Sequence, residues 1–194
     1  MRAFGSERKN AALEAIADAL EKAKPAIDAA NAEDVAAAKA NGISAAMIDR
    51  LTLTDARFKS MVDGVRHVAT LPDPVGEQIW ERDRPSGIRI RKVRQPFGVI
   101  AVVFESRPNV FVDTAALCLK TSNAVILRGG KEAFKSNQAL NAAVRAGLEK
   151  SGLPMDAVQM VETTDHAGVT ELVRSVGLID IAIPRGGERL IRAM

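Results

Sequence analysis

The sequence predicts an α/β protein in which a helical part and a β-hairpin precede a parallel sheet covered on both faces. Three observations predict it. An alanine-rich helical run opens the chain, a proline-marked loop and an alternating segment follow, and from Gly98 short apolar runs alternate with helical stretches. Continuous apolar strands separated by crossover helices are the pattern of a parallel sheet buried on both sides.

Residues 11–40 hold 14 alanines, with Leu13, Ile16, Leu20, Ile27 and Val35 at helical intervals. This predicts two helices divided at Pro25, because proline breaks the helical ladder. Asn41-Gly42 ends the second, a short helical piece follows from Ser44, and Thr54 is the expected N-cap of a helix with Phe58, Met61, Val62, Val65 and Val68 on one side. Residues 1–70 thus read as a helical part.

Leu71-Pro72-Asp73-Pro74 is a loop. Beyond it, Ile79-Trp80 lead to Arg84-Pro85-Ser86-Gly87, and then Ile88, Ile90 and Val93 alternate with Arg89, Arg91 and Arg94. Residues 77–95 are therefore expected to form a protruding hairpin with one apolar and one basic face. The basic residues read first as a solvated strand face. Two such strands hold together poorly alone in water, so the hairpin is expected to pair with another domain or subunit. Residues 98–194 form the parallel α/β part, with strands expected at 99–104, 124–127, 157–161 and 178–183 and helices at 110–120, about 136–150 and 167–176.

The chain has 194 residues, 47% hydrophobic and 26% charged, enough to bury roughly 70% of its unfolded surface without a metal or disulfides. Cys118 is the one cysteine, which excludes an internal disulfide and a cysteine-based zinc site, and His67 and His166 stand far apart. No metal is expected, and a reducing, cytoplasmic setting fits best. The net charge of +3 divides as 0 over residues 1–70, +2 over 71–97 and +1 over 98–194, so there is no polybasic tail. With no tyrosine, one tryptophan and six phenylalanines, the stacking surface of a single-stranded nucleic-acid binder is missing. Val99–Phe104, the longest strongly apolar stretch, falls far short of the roughly 20 residues of a membrane span. Neither a nucleic-acid nor a membrane partner is expected.

In sheets of this kind ligands collect at the carboxyl ends of the strands. Glu105, Ser106, Arg107, Pro108 and Asn109 follow the first run, Arg128, Gly129, Gly130, Lys131 and Glu132 the second, and Pro184, Arg185, Gly186 and Gly187 the last. Gly-Gly pairs beside cations suit a close approach of backbone N–H groups to phosphate oxygens, and helix N-termini after such loops would add their dipoles. A Gly-Gly pair after a strand also serves as a plain turn. Neither GxGxxG nor GxxxxGK[ST] occurs in the chain.

A more specific signal lies in the contiguous strings QPFGVIAVVFESRPNVFVDTAALCLKTSNAVILRGGKEA (residues 95–133) and IDIAIPRGGERLIR (residues 179–192). These closely resemble the γ-glutamyl phosphate reductase family, also called glutamate-5-semialdehyde dehydrogenase, of the aldehyde dehydrogenase superfamily. DRLTLTDARFKSMVDGVR (residues 49–66) is similar to the same family. The resemblance implies an aldehyde dehydrogenase-like, Rossmann-type parallel sheet and NADPH-dependent reduction of L-glutamyl 5-phosphate to L-glutamate 5-semialdehyde in proline biosynthesis. In that family a cysteine thiolate displaces phosphate and hydride then reduces the thioester. The cysteine sits in a catalytic domain that follows the cofactor-binding half, so residues 1–194 are expected to be a cofactor-binding domain, with the catalytic domain absent and the nucleophile beyond Met194. Cys118, on an apolar helix between two strands, reads as a buried inert thiol.

By the same resemblance Arg128, Gly129, Gly130 and Lys131 contact the adenosine ribose. Lys131 stands near the place where NAD-preferring relatives tend to carry a carboxylate, and a lysine there would attract the 2′-phosphate of NADP. Arg185, Gly186 and Gly187 match the turn that presents a helix N-terminus to the pyrophosphate, and Thr163 and Thr164 are weaker matches to the adenine edge. Ser106, Arg107 and Asn109 match the loop facing the thioester. The asparagine that helps stabilise the oxyanion in other aldehyde dehydrogenases aligns with Arg107, which leaves Arg107 open between that role and bidentate binding of the acyl phosphate. The hairpin matches an oligomerisation element, implying a homo-oligomer, and contact with glutamate 5-kinase or a fused kinase domain stays open. The competing reading is a stand-alone nucleotide-binding or regulatory module without catalysis.

Overall fold

The opening helix forms in one piece. In the computed structural model, which describes residues 1, 3–165 and 167–193, α1 runs Ser6–Ala40 with Pro25 inside it, where the sequence suggested two helices. Proline in a helix interior costs about 3 kcal/mol. Here Leu20 and Ile27, on either side of it, are fully buried in the main core, and this tertiary burial holds the helix continuous. Against α1 lies α5 (Phe134–Ser151), at an approach only glycine permits: a Cβ on Gly147 would stand 2.5 Å from Ile16 Cα.

After α2 (Ala45–Leu51), α3 (Asp55–Thr70) starts as expected at Thr54, whose hydroxyl accepts from the Arg57 N–H at 3.3 Å. Phe58, Met61, Val62 and Val65 turn into the core. Buried cations tie these helices to the rest. The Lys9 amine donates to Ser122 Oγ at 2.9 Å and pairs with Asp73 at 2.5 Å, while Lys120 donates to Asn10 Oδ1 and to the Ala69 carbonyl at 2.6 and 2.9 Å.

The hairpin is present as β1 (Gln78–Asp83) and β2 (Arg89–Val93), antiparallel to each other and joined to no strand of the other sheet. Its basic residues face acids across the strands, Arg91 against Glu81 and Arg89 against Asp83, so the basic face is a ladder of solvated ion pairs. Ile79, Ile88, Ile90 and Val93 are exposed.

The second sheet contains β3 (Val99–Phe104), β4 (Ala124–Arg128), β5 (Val158–Met160) and β6 (Ile181–Arg185), all parallel, in the order β5-β4-β3-β6. Strand periodicity sends alternate side chains to opposite faces. Ile100, Val102 and Phe104 join the core built with α1, α3, α5 and α4 (Pro108–Lys120). Ala101 and Val103 face Val169 and Leu172 of α6 (Ala167–Arg174) and Leu190 of α7 (Glu188–Ala193).

The last strand is displaced from the predicted 178–183. Gly177, at φ +84°, turns the chain, leaving Leu178 exposed. Asp180 then brackets Val99: its N–H donates to the Val99 carbonyl at 2.9 Å and its carboxylate accepts from the Val99 N–H at 2.8 Å. The ladder therefore begins with Ile181 opposite Ile100 and continues to Arg185 opposite Phe104. Pro184 is tolerated because β6 is an edge strand of this sheet. Pro184 and Arg185 consequently belong to the strand and not to the loop after it. No helix is long and apolar enough to cross a membrane among the described residues. His166 and Met194, which entered the metal and boundary readings above, lie outside the described residues.

Candidate functional site

From β5 the chain crosses to β6 on the far side of β3, so the sheet order reverses beside the carboxyl end of β3, the position where parallel sheets open a crevice. A cleft of about 490 Å³ lies there, within the size range of small-molecule sites. Glu105, Ser106 and Arg107 reach it from the end of β3, Arg128, Gly130 and Glu132 from the end of β4, and Val169, Thr170 and Leu190 from the helices on the other face.

Arg128 is 7% exposed. Its Nη2 donates to the carbonyls of Thr164 and Asp165 at 2.9 and 3.3 Å, and Nη1 to the Gly129 carbonyl at 3.1 Å. The guanidinium thereby fastens the loop carrying Thr163 and Thr164 to the end of β4. Its Nε is buried without a partner among the described residues, a donor left over for something else. Burial lowers the Arg128 pKa, while the charges of Glu132 and Asp165 work in the opposite sense.

The two glycines after Arg128 are required by the protein's own packing. A Cβ on Gly129 would collide with the Asn137 amide and stand 2.9 Å from Phe104 Cζ, and one on Gly130 would collide with Ser106 Oγ. Ser106 in turn donates to Glu132 Oε2 at 2.6 Å, which joins the loops after β3 and β4. Lys131 is exposed, and its side chain makes no hydrogen bond or ion pair with any described residue, while its carbonyl accepts from the Phe134 N–H. The helix after this loop offers less than its position suggested. Its N-terminus is answered by Asp34, whose carboxylate accepts from the Ser136 N–H and hydroxyl at 2.7 and 2.6 Å.

At the end of β6, the Gly187 N–H donates to Glu105 Oε1 at 2.6 Å, and a Cβ on Gly186 would stand 2.7 Å from the same oxygen. A second cavity of about 250 Å³ adjoins the first through Arg50, which lines both. Pro108, Asn109 and Asp113 form one wall of it, and Asn109 Nδ2 donates to Asp113 Oδ2 at 3.0 Å. Burial pushes the Asp113 carboxyl up, opposed by the Asn109 hydrogen bond and the charge of Arg185. Cys118 lies away from both cavities, 6% exposed, its thiol pushed up to about 11 by burial.

Of the residues singled out from sequence, Ser106, Arg107, Arg128 and Gly130 share the main cleft, and Asn109 lines the neighbouring cavity. Gly129, Lys131, Thr163, Thr164, Arg185, Gly186 and Gly187 stand on the flanking loops and strand end and do not line either cavity. Sequence reasoning gave no role to Glu105, Glu132, Arg50 or Asp113. Asp113 had a usable signal, since it lies one helical turn beyond Asn109 on α4.

No protein-family model matches the chain. Among solved structures, γ-glutamyl phosphate reductase from Thermotoga maritima matches with a TM-score of 0.94 at 40% identity, covering 98% of this chain and 46% of that one. The γ-glutamyl phosphate reductase from Saccharomyces cerevisiae matches with a TM-score of 0.90 at 34% identity, over 98% of this chain and 48% of that one. A probable aldehyde dehydrogenase from Listeria monocytogenes, at 15% identity and a TM-score of 0.71, covers 98% of this chain and 39% of its own, and shares the fold. The chain spans about half the length of the reductases it matches.

Proposed function

We propose that this chain, alike in sequence and fold to about half of the γ-glutamyl phosphate reductases, is the NADPH-binding part of an enzyme that reduces L-glutamyl 5-phosphate to L-glutamate 5-semialdehyde in proline biosynthesis. The observation that carries the cofactor assignment is the cleft at the carboxyl ends of β3 and β4, with the unpartnered Arg128 Nε and the free Lys131 amine beside it. Bound NADPH would supply the hydride. Arg128, Gly129, Gly130 and Lys131 would hold the adenosine ribose, with the Lys131 ammonium taking the 2′-phosphate. Thr163 and Thr164 would flank the adenine. Arg185, Gly186 and Gly187 would receive the pyrophosphate.

On the substrate side, Ser106, Arg107 and Asn109 would meet L-glutamyl 5-phosphate. Arg107 is exposed at the cleft and makes no side-chain hydrogen bond or ion pair among the described residues. It is therefore free to donate two parallel hydrogen bonds to an acyl phosphate. Cys118 is buried and its thiol is held in the protonated form, so it would take no part, and the chain by itself would perform no reduction. The exposed apolar residues of the β1–β2 hairpin support its reading as an oligomerisation element of a homo-oligomer. We assign the protein to the cytoplasm, and contact with a glutamate 5-kinase belongs to the same reading. Titration of the chain with NADPH and NADH tests the cofactor assignment. An acyl-phosphate-dependent oxidation of NADPH by the purified chain, abolished by Cys118→Ala, would overturn the assignment of Cys118.

A further inference from the structure

The loop after β3 separates the two cavities: Arg107 lines the larger one, while Pro108 and Asn109 line the smaller. Arg50 borders both. Inside the smaller cavity the polar groups fall into two sets. On α4 are acceptors, since Asn109 Nδ2 is spent on Asp113 Oδ2 and the other oxygens, Asn109 Oδ1 and Asp113 Oδ1, have no hydrogen-bond partner among the described residues. From α2 and α3 come donors. The Arg50 guanidinium and the Ser60 hydroxyl make no side-chain hydrogen bond or ion pair with described residues, whereas Arg57, on the same cavity, is held by Asp49 and the Thr52 carbonyl.

Acceptors and donors lining one cavity and not joined to each other are complementary to a ligand that carries a cationic and an anionic group on one carbon. An α-amino acid end has that form. We propose that the smaller cavity is the subsite for the α-amino and α-carboxylate groups of the substrate, with Asp113 and Asn109 accepting from the ammonium and Arg50 and Ser60 donating to the carboxylate. This rests on the reading of the substrate as L-glutamyl 5-phosphate, whose acyl phosphate would meet Arg107 on the other side of the loop. Burial of the Asp113 carboxylate is costly, and Arg185 offsets it only through its charge, with no ion pair between the two among the described residues, so an ammonium ligand relieves that cost. Asp113 and Arg50 then become specificity-determining residues that select an amino acid over a plain dicarboxylate.

The test uses the purified chain and three probes: L-glutamate, glutarate, which lacks the ammonium, and 4-aminobutyrate, which lacks the α-carboxylate. Affinity and the NMR signals of Asn109 and Asp113 are followed for the native chain, Asp113→Asn and Arg50→Gln. L-Glutamate is expected to shift both signals and to bind about tenfold more tightly than either analogue, the fold-change of one charge-assisted hydrogen bond. Asp113→Asn should erase the advantage over glutarate, and Arg50→Gln, at an exposed residue whose loss leaves folding intact, should erase the advantage over 4-aminobutyrate. Equal binding of the three probes, or discrimination that survives both substitutions, overturns the proposal. NADPH is titrated into the same samples. Binding of NADPH without selection for L-glutamate removes the subsite and leaves the cofactor reading standing, absence of both removes both, and selection for L-glutamate without NADPH binding supports the subsite while overturning the cofactor reading.

Discussion

The carboxylate of Glu105, at the end of β3, accepts a hydrogen bond from the backbone N–H of Gly187 at 2.6 Å, so an anion of the protein's own occupies the turn assigned to the cofactor pyrophosphate. NADPH bound as proposed would have to displace that carboxylate and would meet its charge while doing so. Glu105→Gln removes the charge and leaves the shape. It is expected to tighten NADPH binding about fivefold, the worth of roughly 1 kcal/mol, measured by nucleotide fluorescence. Unchanged or weaker binding would exclude Gly187 from the pyrophosphate site.

Lys131 is the exposed cation at the start of the turn after Gly129-Gly130. Lys131→Glu should weaken NADPH binding about tenfold more than NADH binding, because a carboxylate repels the 2′-phosphate and accepts from the ribose hydroxyls of NADH. An unaltered NADPH to NADH ratio would make Lys131 a solvated turn residue. Gly130→Val serves as the contrast: its side chain would collide with Ser106 Oγ, and both nucleotides should lose affinity together.

The Lys9–Asp73 pair makes an acid-side prediction. Burial alone would raise the Asp73 carboxyl, but hydrogen bonds from Lys9, Ser6 and the Val75 N–H, with the charge of Lys9, hold it below the ordinary carboxylate value. A depressed folded-state pKa stabilises above the unfolded value of about 3.9 and is lost as pH falls through the folded one. This contribution should therefore fade below about pH 4. Asp73→Asn leaves Lys9, 1% exposed, without its counter-charge and should cost about 3 kcal/mol in urea unfolding at neutral pH. A loss under about 1 kcal/mol would mean that water or Ser122 suffices for Lys9.

Cys118 should react with a disulfide reagent only after unfolding, since its thiol is buried and pushed up to about 11. Cys118→Ala should leave NADPH affinity unchanged. Rapid labelling of the native chain, slowed by bound nucleotide, would place this thiol near the cofactor after all.

The parallel sheet was legible in the sequence because its central strands are covered on both faces, which makes β3 an unbroken apolar run, Val99–Phe104, and β4 one as far as Leu127. Its last strand was misplaced because what sets its start is tertiary: the Gly177 turn and the grip of Asp180 on Val99. Pro25 looked like a boundary for the same reason, its local cost being visible and the burial of Leu20 and Ile27 not. In the site, the loops could be found by position after the strands. The bonds inside them could not, since Ser106–Glu132 and Glu105–Gly187 join residues brought together only by the pairing of β3 with β4 and β6.

Whether this chain carries an NADPH site is tested by direct titration of the purified chain with NADPH and NADH. Saturable binding of one NADPH per chain, about tenfold tighter than NADH because of the added 2′-phosphate contact, is the predicted result. No binding of either nucleotide, or equal affinity for the two, would contradict it.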